Sequence, residues 1–121
     1  MSRTIEPLDF SALLEMLGGK QEIVVTLLGT FLDELAADVD ASRQAAVAED
    51  TATLRKIAHR IKGTSANLHA MLLSSAAREL ESACNEADYG LIILKHEIMC
   101  DQSQRLSEAI RSWLAHSVNT F

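Results

Sequence analysis

The chain has 121 residues, one proline, five glycines and 48% hydrophobic residues, enough for one compact domain and too little for two of ordinary size. Abundant Ala and Leu with few helix breakers favour helix over strand. No apolar run approaches the about 18 residues that span a bilayer, and Met1-Ser2-Arg3-Thr4-Ile5-Glu6-Pro7 lacks the apolar core of a signal peptide, so a soluble, cytoplasmic protein without membrane insertion is expected.

In chain order, residues 1–7 read as a loose tail. Asp9 is positioned to cap a short helix over 10–17, with Phe10, Leu13, Leu14 and Leu17 apolar and Gly18-Gly19 ending it. So short a helix needs a larger body to lie across. From 21 to 48 the pattern is continuously helical, with Val24, Leu28, Phe31, Leu35, Val39 and Ala46 on one stripe. Asp50 or Thr51 caps a helix over 51–68, whose apolar face is Leu54, Ile57, Ala58, Ile61, Ser65 and Leu68. A third long helix over 71–85 buries Leu72, Leu73, Ala76, Leu80 and Cys84 and turns Arg78, Glu79, Glu81 and Glu86 outward. Asp88 is placed to cap the last helix, 89–116, whose stripe is Leu91, Ile92, Lys95, Met99, Leu106, Ile110 and Trp113. A frayed tail is expected from Ser117. Four amphipathic helices joined by short turns predict an all-α, antiparallel up-and-down four-helix bundle with a short extra N-terminal helix, in one domain spanning 1–121.

The charges are segregated. From Thr51 through Ala77 there is no Asp or Glu, while Arg55, Lys56, Arg60 and Lys62 all fall there; the net charge of the whole chain is −6. A basic island on an acidic protein points to a local anionic partner, and nucleic-acid binding would need a broader basic surface. Inside the island, His59 falls roughly opposite the apolar stripe, beside Ala52, Arg55, Gly63 and Ala66. It is therefore not a core histidine. Lys62 at i+3 leans back toward the ring, and Gly63 at i+4 leaves open the space a side chain would fill. Glycine in a helix interior is destabilising, so its presence there asks for a reason other than stability. An accessible imidazole beside a cation suits a group that carries a phosphate.

Ala58-His59-Arg60-Ile61-Lys62-Gly63-Thr64-Ser65-Ala66-Asn67-Leu68 resembles the signature of histidine-containing phosphotransfer (Hpt) domains: His-x-x-Lys-Gly, then small residues, Asn and Leu. Leu28 and Phe31 resemble the family's Leu-x-x-Phe, Asp50 and Leu54 precede the histidine at the family's spacing, and Leu80-Glu81 resembles its later Leu-Glu pair. One departure stands at His69, where the family usually has Gly; His69 is read as a turn residue, since histidine tolerates left-handed dihedrals better than most.

The resemblance implies a phosphocarrier of a two-component phosphorelay, with no nucleotide site and no independent catalysis. His59 would accept a phosphoryl group on Nε2 from a receiver-domain aspartate and pass it to another receiver. An imidazole in water is largely neutral at pH 7, with a lone pair available for attack. Phosphoryl transfer asks mainly for positioning and charge stabilisation. Lys62 would face the phosphoryl oxygens, Gly63 and Ala66 would admit the partner, and Arg55, Lys56, Arg60 and Ala52 would form the docking patch. The expected partners are response-regulator receivers, which would bring Mg²⁺, and a hybrid histidine kinase; the domain is expected to be a monomer and to work free in the cytoplasm or at a membrane-bound sensor kinase.

Three other classes compete. A metal-centred bundle enzyme would use Glu-x-x-His, but no Glu precedes a His at that spacing, and no metal is expected. A non-phosphorylated adaptor docking receivers or kinases would be expected to have lost the histidine. A dimerising kinase core would require an ATP-binding domain to follow. Cys84 and Cys100 match no zinc or redox spacing and are expected as free, buried or half-buried thiols.

Overall fold

The computed structural model describes residues 6–118, which form five α-helices and no strand. They are α1 (Phe10–Met16), α2 (Gln21–Val47), α3 (Thr51–Asn67), α4 (Met71–Glu86) and α5 (Tyr89–Val118). α2 packs on α3, α3 on α4, α4 on α5, and α5 closes the ring against α2. With turns this short, successive helices run antiparallel: an up-and-down four-helix bundle.

The helix starts are written in local chemistry. Asp9 accepts from the Ala12 amide at 2.9 Å, Asp50 from Thr53 at 3.1 Å and Asp88 from Leu91 at 3.1 Å. Each satisfies an amide that has no partner within its own helix. Tyr89 then joins two turns at one end of the bundle, donating its hydroxyl to the Glu49 carbonyl and accepting from Thr51, both at 3.3 Å.

The helix ends are less conventional. Glu49, His69 and Ala87 all have positive φ, at 55°, 60° and 55°. After α3, the Ala70 amide bonds back to the Ser65 carbonyl at 2.9 Å and the His69 amide to Ala66 at 3.0 Å. This is a Schellman ending, a geometry that glycine occupies most easily. The same pair of bonds closes α2 at Ala45 and Ala46.

The core gathers Val24, Leu28, Phe31 and Leu35 from α2, Leu54, Ile57, Ala58 and Ile61 from α3, Leu73, Ala77 and Leu80 from α4, and Ile92, Met99, Leu106 and Ile110 from α5. The stripe on α2 drifts as it rises, so that Ser42 and Ala45 are buried and Ala46 only half-buried. Leu72 is likewise half-buried, on the margin of α4's apolar face. α1 lies across the other end of the bundle, with Leu13 buried and Phe10 stacked on Trp113 of α5, ring centroids 5.4 Å apart. The expectation of fraying from Ser117 is corrected: α5 continues through Val118 with Ser117 buried. The rest of that tail, 119–121, and most of the expected N-terminal tail, 1–5, lie outside the described residues. Both cysteines are free, Cys84 buried and Cys100 half-buried. No helix among the described residues is long and apolar enough to cross a membrane.

The left-handed turn at His69 generates a test. A non-glycine residue there costs roughly 1 kcal/mol or more, partly offset by the greater freedom glycine gives the unfolded chain. His69→Gly should therefore raise the unfolding free energy by about 0.5–1 kcal/mol, read as a higher urea midpoint with unchanged slope. A lowered midpoint would show that the imidazole itself holds the turn.

Candidate functional site

His59 sits near the middle of α3, on the side away from the core, with its side chain 67% exposed. The helix delivers it there because Ile57, Ala58 and Ile61 turn inward and leave residue 59 no inward direction. The ring is nonetheless not loose. Its Nδ1–H donates to Glu81 Oε2 of α4 at 2.7 Å. A carboxylate can only accept, so the neutral ring carries its proton on Nδ1 and keeps its lone pair on Nε2. Among the described residues, no side chain or backbone group engages Nε2.

The other oxygen of the same carboxylate, Glu81 Oε1, accepts from Lys62 Nζ at 2.7 Å. Lys62 thus does lean toward the ring, but its ammonium rests on Glu81. The glutamate side chain is only 15% exposed. The Lys62 hydrogen bond holds its carboxyl below the ordinary glutamate range, against the opposing effect of burial, with the His59 hydrogen bond assisting.

The outward placement expected for Glu81 is therefore corrected. The residue lies on the α4 flank that faces α3, seven positions after Ser74, whose buried hydroxyl donates to the Lys62 carbonyl at 3.0 Å. That seven-residue polar pair beside an apolar stripe marks a polar flank on α4. Periodicity within α4 alone could not say which neighbour it faced.

The basic island is also less isolated than its sequence suggests. Arg60 turns to the opposite flank of α3 and grips Asp38 of α2, its Nε lying 3.1 Å from both carboxylate oxygens and its Nη2 2.6 Å from Oδ1. The ion pair holds Arg60 more firmly protonated than an arginine in water. Lys56 and Ala52 are exposed and Arg55 half-buried. Gly63 is exposed, and a Cβ built there would meet nothing within 4 Å. Ala66, one turn after Lys62, is half-buried. α3 thus presents a low surface with one imidazole rising from it, and the two acids nearest it, Asp38 and Glu81, come from its neighbours.

Among the described residues, no three His, Cys, Asp or Glu side chains gather as metal ligands. His96 lies on the seam between α2 and α5, half-buried, with Nε2 3.0 Å from Ser42 Oγ and 3.5 Å from Cys100 Sγ. Burial, and then Arg43, push its pKa below the ordinary histidine value.

Comparison with known proteins agrees with this arrangement. Among solved structures, the chain is similar to histidine-containing phosphotransfer protein B (HptB) from Pseudomonas aeruginosa PAO1, at 23% identity over 93% of this chain and 98% of that one, with a TM-score of 0.83. It is also similar to the Hpt domain of the Hpt sensor hybrid histidine kinase from Shewanella, at 20% identity over 91% and 95%, with a TM-score of 0.78. These likenesses establish the fold. No match was found among curated proteins. A family model described as the Hpt domain matches residues 26–113, a span that takes in α3 and α4 whole, most of α2 and α5, and the whole His59–Glu81–Lys62 constellation. The chain therefore belongs to the Hpt domain family, the histidine phosphotransfer modules of phosphorelays, which carry phosphoryl groups in concert with receiver domains and histidine kinases.

Proposed function

We propose that His59 is the phosphoryl carrier, receiving the group from the phospho-aspartate of a receiver domain and returning it to the aspartate of another, with the whole chain acting as one monomeric transfer unit. The observation that carries this reading is the Glu81 contact, which keeps the Nδ1 proton in place and leaves Nε2 as the exposed lone pair. In the forward step Nε2 attacks phosphorus; the N–P bond forms as the bond to the aspartyl oxygen breaks, and the carboxylate departs with the electron pair. The ring becomes an imidazolium, and Glu81 lies against the N–H where that charge develops. Such in-line transfer needs alignment and charge compensation more than covalent help.

The remaining roles follow from position. Lys62, 32% exposed on its side chain and one turn from His59, can move from Glu81 to the phosphoryl oxygens. Gly63 and Ala66 keep the approach low for the partner's loops. Ala52, Arg55, Lys56 and Arg60 line the route to the ring, and the positive charge of Arg55 and Lys56 would speed encounter with an acidic receiver pocket more than it would tighten binding. Mg²⁺ would be held by the receiver, and a hybrid histidine kinase would supply the phosphoryl group through its own receiver. This chain would have no nucleotide site and no catalysis of its own.

Incubation with a phosphorylated receiver should give an acid-labile, alkali-stable phosphoryl group on the parent chain and none above background on His59→Gln. Equal labelling of that variant would overturn the assignment. Glu81→Ala, which removes the support of the tautomer, should stay folded and slow transfer by about 10–100-fold, the loss typical when a carboxylate that orients a working histidine is removed.

The pH dependence of Glu81 has a definite sign. A carboxyl held below its ordinary value lends stability above about pH 4.5, and that stability is lost as pH falls through the depressed folded value. Glu81→Gln should therefore flatten the acid limb of the stability profile below pH 4.5, leaving the neutral limb parallel to the parent's; an unchanged acid limb would count against the ion pair.

Gly63→Leu separates stability from transfer. With open space at the Cβ, the substitution should raise helix stability by up to about 1 kcal/mol while slowing phosphotransfer, because it builds a side chain beside the ring. Unchanged transfer in a stabilised variant would remove the steric role assigned to this glycine.

A further inference from the structure

The seam between α2 and α5 lies across the bundle from the one that holds Glu81, and it is not closed. Two cavities open along it. One, of about 380 Å³, is lined by apolar groups that include Ala46, Val47, Leu54, Ile92 and Ile93. The other, of about 260 Å³, is faced by Arg43 and Arg111 together with Ser103, Gln104 and Ser107. Arg43 lines both, so the two meet at its side chain as a groove with an apolar lobe and a lobe of mixed lining that carries both arginines.

Two features of this groove are left unbalanced inside the protein, although Arg43 also hydrogen-bonds the Cys100 side chain. Val47 and Ile93 leave 87% and 59% of their surface in water at the mouth of the apolar lobe. Among the described residues, Arg43 and Arg111 are in no ion pair, and no carboxylate lines the basic lobe. In a chain of net charge −6, two arginines facing one cavity of mixed lining with no carboxylate in it favour an anion there. The lobes also have a polarity. Glu49 and Glu97 line only the apolar lobe and would repel an anionic group there, driving it toward Arg43 and Arg111. The polar groups behind the apolar lobe are already satisfied: Ser42 donates to the Val39 carbonyl at 2.6 Å and lies 3.0 Å from His96 Nε2. Nothing there demands a hydrogen-bonding ligand.

We propose that this groove binds an amphipathic carboxylate, an unbranched aliphatic chain ending in one carboxylate group. The chain lies among Leu54, Ile92 and Ile93, and the head group is taken by the guanidinium of Arg43, with Arg111 beyond it. The apolar lobe has the size and lining of small-ligand sites, and a guanidinium matches a carboxylate in a two-bond fork. Because the groove lies across the bundle from His59, it can be occupied while the imidazole remains accessible.

The test uses the ¹⁵N-labelled chain titrated with sodium decanoate, and in parallel with decan-1-ol and decyltrimethylammonium, each below its aggregation limit. The expected result is saturable shifts for decanoate, confined to 43–54 and 89–111, with the alcohol and the cation at least tenfold weaker. Arg43→Gln should weaken decanoate binding by about tenfold, the scale of one lost hydrogen bond to a charged group, and Arg111→Gln, which removes only a more distant charge, by a smaller factor. Ile93→Ser should weaken it as well. All three side chains are exposed, so these variants keep the fold. The proposal is overturned if the alcohol or the cation binds as tightly as decanoate, if the shifts centre on the α3–α4 seam, or if no saturation is reached.

Discussion

The two oxygens of Glu81 hold one donor each, the imidazole of His59 and the ammonium of Lys62, both at 2.7 Å. The proposed transfer site depends on that shared carboxylate, and the carboxylate depends on the bundle. Its partners stand 22 and 19 residues away in sequence, on another helix, so the contact exists only when α3 and α4 are in register. One turn of slippage, about 5.4 Å, would break both bonds. Ser74 fixes the register seven residues earlier, and Ile61, Leu73 and Leu80, all fully buried, fill the space between the helices. Burying apolar surface is what secures the proton on Nδ1.

α3 is held from both flanks. Lys62 and His59 tie it to α4, and Arg60 ties it to α2 through Asp38. Between these anchors its outer surface is kept low. Gly29 of α2 is as unobstructed as Gly63, so the access role proposed for Gly63 does not rest on open space alone. What distinguishes Gly63 is its place one turn beyond the exposed ring, with alanines completing the same face. An isolated helix would gain from any larger residue at that position.

Much of this was legible along the chain. The apolar stripes locate all five helices, because 3.6-residue periodicity is a property of each segment by itself. Asp9, Asp50 and Asp88 mark helix starts, because a cap is satisfied within three residues. The place of His59 opposite the stripe is likewise a one-helix property. What could not be read are relations between helices: Glu81 faces α3 and not water, Asp38 reaches Arg60, and α2's buried line passes from Val39 to Ser42 and Ala45 as the helix wraps its neighbours. A stretch without acids in sequence says nothing about acids brought to it in space. His69 is an intermediate case. Its position as a turn was readable, while its left-handed backbone, and those of Glu49 and Ala87, follow from the short connections that closing the bundle requires.

The ion pairs on either side of α3 also change how the surface looks from a distance. Arg60 and Lys62 each have a carboxylate oxygen within 2.7 Å, so beyond the Debye length of about 8 Å at physiological ionic strength each pair presents a dipole and not a charge. The long-range field over the His59 face is then carried chiefly by Arg55 and Lys56, on the first two turns of the helix. Under the proposed transfer role, an approaching acidic partner would be drawn first to the start of α3 and would travel along it to the imidazole, making the encounter directional as well as fast.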